Sequence, residues 1–138
     1  MENNSKKILS EISPGELLDK ISILEIKLEM VKNAEGLKEV KKEHAILKKI
    51  QTSSIVLTDE ISNLFKSIKE INTELWNVED KLRIHEKNQD FGKEFIKLAR
   101  AVYFNNDKRA KIKLDINKIL GSNLIEVKQY IDLSLIHI

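Results

Sequence analysis

The sequence of 138 residues contains no cysteine, one proline and four glycines, and only 5% of its residues are aromatic. Without cysteine there can be no disulfide, no thiolate nucleophile and no cysteine-ligated zinc. Glycine and proline supply most tight turns, so their scarcity argues against a β-sandwich or barrel, which would need many of them. No run approaches the ~18 consecutive apolar residues that span a bilayer. Met1 to Ile12 also lacks the apolar centre of a signal peptide. The expectation is a soluble cytoplasmic protein without a membrane span. An excess of one charge is missing as well. The formal net charge is +2, which creates no global field for nucleic acid.

What is present is charge of both signs, 33% of residues, and abundant Leu, Ile and Lys. That composition belongs to long helices, and the length suits one domain with a core of its own. Of the 24 cationic residues only Arg83, Arg100 and Arg109 are arginine. Forked recognition of carboxylate or phosphate is therefore confined to three places.

Residues 1–12 read as a flexible arm, followed by a single helical domain over 13–131 and a tail over 132–138. Ser13-Pro14-Gly15-Glu16 is a capping box with proline at the first helical position. Leu17, Ile21, Leu24, Leu28 and Val31 then recur at spacings of 4, 3, 4 and 3, which predicts a helix from Pro14 to about Lys32. After a turn at 33–36, the same spacing predicts a second helix over about 37–50, with 51–57 open between loop and distorted helix. The third pattern is the cleanest: Ile61, Leu64, Ile68, Ile71, Leu75, Val78 and Leu82 define a seam running to Lys87. Asp90 is a candidate cap for a fourth helix, whose seam passes through Asn105 and Arg109. Whether that helix breaks at 105–107 is open, one long helix, straight or kinked, being favoured, with Gly121 as its stop. A short helix is expected over 122–131. The predicted fold is all-α: a long antiparallel, coiled-coil-like helix hairpin with additional helices packed into a small bundle.

The hairpin brings chemistry together. Centred on Gln89, it places Trp76, Asp80 and Arg83 opposite Arg100 and Tyr103, and Asn72 opposite Asn106, Asp107 and Arg109. As a ligand or partner site, the arginines would fork onto a carboxylate or phosphate and the rings would supply flat contact surface. The competing reading is an internal polar network that fixes helix register. Residues 58–90 are net acidic and 91–121 net basic, and neighbouring helices of opposite sign are expected to pair their own charges. His44 and His85 have no histidine partner at i+3 or i+4, so no metal is expected. The carboxylate pairs Glu79/Asp80 and Glu16/Asp19 read as ordinary helix surface. Lys108, Arg109, Lys111 and Lys113 form a basic cluster, but Asp107 and Asp115 neutralise Lys111 and no aromatics interleave, so nucleic acid is disfavoured. No glycine loop, nucleophile elbow or dinucleotide motif is present, and no cofactor is expected.

Several segments together resemble an uncharacterised bacterial family, domain of unknown function 6165. They are Ile12-Ser-Pro-Gly-Glu-Leu-Leu-Asp-Lys-Ile21 with Glu25, Lys27 and Leu28; Leu75-Trp76 with Glu79, Asp80 and Arg83; and Leu98-Ala-Arg-Ala-Val-Tyr103 through Asn106-Asp107, Arg109-Ala110, Lys113 and Asn117 to Gly121-Ser122. The likeness runs over roughly 11–130. It implies a small helical domain of bacteria and their phages, sometimes found beside surface-polysaccharide or glycosyltransferase functions, and it brings no catalytic residues. Leu133 to Ile138 has no counterpart in that pattern and resembles translated run-on sequence, so His137 is given no role. The function expected is a non-enzymatic protein-interaction or scaffold module, with a protein partner or a second copy as its ligand. The alternative is a helical bundle that binds or transforms a small carboxylate, phosphate or sugar nucleotide.

Overall fold

A computed structural model describes residues 6–133. Four helices make up the regular structure among them: α1 (Pro14–Met30), α2 (Ala34–Ser54), α3 (Asp59–Lys87) and α4 (Lys93–Ile119). The starts follow from the sequence. Ser13 Oγ accepts from the Glu16 amide at 3.1 Å, Asn33 Oδ1 from Gly36 at 2.6 Å, and Thr58 Oγ1 from Ile61 at 3.2 Å. Each satisfies one of the unpaired donors of a first turn. α2 begins three residues before the expected start because Asn33 caps it, and it runs through Gln51 to Ser54.

The hairpin turn is built differently from expectation. Asp90 does not cap α4. The N-cap is Gly92 without a side-chain bond, and Asp90 Oδ1 accepts from the Gly92 amide at 3.3 Å. Gln89 takes the left-handed conformation at φ 53°. Its amide donates to Glu86 O, and that of Asp90 to His85 O, so the last carbonyls of α3 are satisfied by a Schellman motif. α4 ends the same way around Gly121 at φ 64°, with Ser122 N donating to Asn117 O at 2.8 Å.

α4 is unbroken through Asn105, Asn106 and Asp107. Asn105 sits buried on the seam and donates its amide to Ala101 O at 2.9 Å within its own helix, which satisfies the group without breaking the ladder. The expected short helix over 122–131 is absent. Ile125, Val127 and Ile131 are exposed, and a short isolated segment without a surface to bury its apolar side does not repay helix nucleation.

Ile61 near the start of α3 packs with Ile116 near the end of α4, while the His85 and Phe95 rings meet edge-on at the opposite end, so the two helices run antiparallel. α1 packs against all three other helices, whereas α2 packs on α1 alone. This central place explains why α1 is buried beyond its predicted seam, on Leu18 and Ile26 as well as on Leu17, Ile21 and Leu24. The tightest core is Leu18, Ile61 and Ile116, each worth about 1.5–3 kcal/mol on burial. At 17 residues against 29, α1 is roughly 26 Å long beside roughly 44 Å of α3, so it covers only part of the hairpin. No helix among the described residues is long and apolar enough to cross a membrane. Residues 1–5 of the expected arm and 134–138 of the expected tail, His137 included, lie outside the described residues.

Candidate functional site

A second stripe on α1 builds the polar centre of the bundle. Gly15, Asp19, Ser22 and Ile26 recur at 4, 3 and 4 and are all buried. Gly15 lets α4 approach closely: a Cβ there would lie 2.5 Å from Lys113 O and 2.8 Å from Asn117 Oδ1. Instead the Gly15 amide, one of the unpaired donors of the first turn, donates to Asn117 Oδ1 at 2.7 Å. One turn further on, Asp19 is 1% exposed. It is no surface carboxylate, contrary to its spacing with Glu16, because α1 is surrounded by its three neighbours. Glu16 alone is partly exposed, paired with Lys113 at 2.8 Å.

Arg109 on α4 answers the buried charge. Its Nε donates to Asp19 Oδ1 at 2.8 Å and its Nη2 to Asp19 Oδ2 at 2.6 Å, a forked pair across two helices. Asn72 on α3 closes the network, its Nδ2 donating to Asp19 Oδ1 at 2.9 Å and to Ser22 Oγ at 2.8 Å. Ser22 in turn donates to Asp19 O at 2.7 Å. The Asp19 carboxylate hydrogen bond, and its charge after that, push the Arg109 guanidinium further up from its ordinary value against the opposing effect of burial. Three helices are thus tied at one level by a network whose buried members are paired, as low dielectric demands. The seam arginine expected as a ligand anchor is engaged from inside by Asp19.

The other candidates separate into groups. Trp76, Asp80, Arg83 and Arg109 line one open groove with Ile23 and Ile26, of about 580 Å³. Asn106, Asp107 and Arg109 line a smaller depression of about 240 Å³, completed by Lys128 and Tyr130 of the segment after α4. Arg109 is common to both. Arg100 and Tyr103 join neither. The Arg100 guanidinium lies over the Phe104 ring at 5.8 Å and the Tyr103 ring is 5.2 Å from that of Phe104. Six residues, about 240° of net rotation around α4, separate Asn106 from Arg100, so a shared level on the hairpin did not make a shared face. The groove continues toward the hairpin tip past Glu79 and Arg83, floored there by Leu82, Phe95, Ala99 and Val102.

The residues of the polar centre, Asp19, Asn117 and Arg109, fall within the segments quoted above for their likeness to a known family. Across residues 8–134 the chain matches the family described as a family of unknown function (DUF6165). The chain belongs to that family. No curated protein and no solved structure matches it.

In this DUF6165 member, sequence reasoning missed Asp19, Ser22 and Asn117 as site residues. Their signal was the second stripe on α1, where small and polar residues repeat at helical spacing beside the leucine seam. No group of three His, Asp or Glu side chains converges as metal ligands among the described residues. His44 instead lies 3.9 Å from Glu25, which also pairs with Lys69 at 3.1 Å.

Proposed function

We propose that this protein is a non-enzymatic interaction module of the bacterial cytoplasm. Its binding face is the groove that runs along α3 and α4 from Trp76 toward Phe95. The observation that carries this reading is the use made of Arg109. Its forked edge is committed to the buried Asp19, so the cluster's best-placed cation serves register. What remains outside is a long, open furrow with an apolar floor and a charged rim, a form that suits a helix laid along it better than an enclosed small molecule. The setting implied by the resemblance, beside surface-polysaccharide or glycosyltransferase systems, is one in which a scaffold module would hold enzymes together.

A second reading has one specific observation in its favour. Arg109 has five N–H donors, and two remain uncommitted after Asp19 and a 3.4 Å contact with Asn106 Oδ1. A small carboxylate or phosphate could use them.

Thermal denaturation with phosphate, dicarboxylates and sugar nucleotides tests the choice. A true small-molecule ligand at 100 times its Kd would stabilise the protein by about 2.7 kcal/mol. The interaction reading expects no such shift. A shift that disappears in the groove variant Arg83→Ala would refute it in favour of the second.

A further inference from the structure

Past Ile26 of α1, the end of the hairpin nearest its tip has no third helix beside it among the described residues. The hydrogen bonds and ion pairs that join α1 to the hairpin engage Lys69, Asn72, Arg109, Lys113 and Asn117, all in the base half. Toward the tip the groove is lined by α3 and α4 residues alone. Opposite-sign neighbours were expected to pair with one another there, and they do not. Among the described residues the side chains of Glu79, Asp80, Arg83, Lys93 and Lys97 form no ion pair or hydrogen bond, and Glu86 reaches only Gln89, at 3.5 Å. α4 also turns an apolar pair outward, Ile96 at 55% and Tyr103 at 44% exposure.

These features have a common geometry. On α4, Lys93, Ile96, Arg100 and Tyr103 recur at 3, 4 and 3, a second amphipathic stripe on the solvent side. On the rim of the groove, Glu79 and Glu86 stand two turns apart, roughly 10 Å, and so do Lys93 and Arg100. One surface therefore carries a furrow whose rim holds Glu79 and Glu86 at that interval, with Arg83 between them, and a ridge with cations at the same interval. A face that holds both halves of a match is self-complementary under a two-fold axis. We infer that the occupant of the groove's tip half is a second copy of this chain. The α4 stripe of each copy lies in the other's furrow, Ile96 and Tyr103 on the floor of Leu82, Phe95, Ala99 and Val102, with Lys93 and Arg100 against Glu79 and Glu86. The small side chain of Ala99 permits the close approach. This inference rests on the interaction-module reading and names its partner.

Sedimentation equilibrium from low micromolar to submillimolar concentration tests it. The expected result is a monomer–dimer equilibrium that weakens with added salt, as exposed charge pairs do. Ile96→Asp, at a solvent-facing position, should leave the helical circular dichroism unchanged and abolish the dimer. Glu79→Lys with Glu86→Lys should weaken it by about tenfold or more, since two-fold symmetry makes each pair occur twice in the dimer. Adding Lys93→Glu and Arg100→Glu to that variant should restore it. A protein monomeric at submillimolar concentration overturns the inference, as does a dimer indifferent to both Ile96→Asp and the charge reversal. Those results leave the interaction module standing with a different partner. That reading falls separately, by the Arg83-dependent shift with a small anion.

Discussion

Replacing Arg109 by leucine is the most direct test of how the bundle is held. Viewed from the seam alone, an arginine among apolar positions invites the expectation that leucine would stabilise the helix pair. The surroundings of Asp19 reverse that sign. Its carboxylate is 1% exposed and accepts from Arg109 Nε and Nη2 and from Asn72 Nδ2. Arg109→Leu removes two of those three bonds and the one cation that, among the described residues, pairs with the buried charge. Breaking one side of such a pair costs about 3–5 kcal/mol, because the partner is left buried and uncompensated. For a chain of this size that is roughly a 10–20 °C fall in Tm. Replacing both partners, Asp19→Leu with Arg109→Leu, removes the orphaned charge and should recover most of the loss, leaving Asn72 bonded to Ser22. The coupling energy from the full double-mutant cycle should then be at least about 3 kcal/mol. Urea unfolding followed at 222 nm on the wild type, both single variants and the double variant supplies the numbers. A single-variant loss below about 1 kcal/mol, or losses that simply add, would refute the account of the pair as a buried register lock. The pH dependence has a fixed sign. A base whose folded value is raised contributes stability present below its unfolded value and lost only as pH rises through the folded one. For an arginine that window is strongly alkaline, so Arg109 titration does not weaken the lock at neutral pH.

Other outcomes follow from single contacts. Gly15→Ala drives a methyl to 2.5 Å from Lys113 O and should cost about 1–3 kcal/mol in thermal or urea unfolding as α1 is pushed off α4. Gln89→Gly should do the opposite, raising stability by about 1 kcal/mol, since a non-glycine residue holds the left-handed position at φ 53°. Asn117→Leu strips the buried Gly15 amide of its acceptor and is expected to lose about 1–3 kcal/mol by the same assays. Ser13→Ala, which removes the cap on α1, should lose about 1 kcal/mol.

Much of the architecture could be read from spacing. The 3–4 seam of α3 needs only helical periodicity to be recognised, and Ser13 announces the start of α1 through its side-chain oxygen, whereas Asn33, expected within a turn, is the cap of α2. The candidate site was less legible, for a geometric reason. The hairpin fixes which residues share a level, and on that basis Arg100 and Tyr103 were grouped with Trp76 and Asp80. Azimuth around α4 decides which residues share a face, and it turns those two toward Phe104 instead. The 122–131 segment shows the same limit: its apolar residues sit at helical spacing but meet no surface to bury them.

The sequence by itself determined an all-α chain, the starts of α1 and α3, and the seam positions of Asn105 and Arg109. These are local matters of capping and periodicity, decided within a few residues. The structure decided the starts of α2 and α4 and the continuity of α4, and only the tertiary structure decided what the seam residues mean. Asp19 has the spacing of a surface carboxylate, and it becomes the buried centre of the protein because α1 is enclosed by three helices while α2 is left on the outside. Burial depends on neighbours distant in the chain, and it fixes whether Arg109 faces a ligand or, as here, a charge of its own protein.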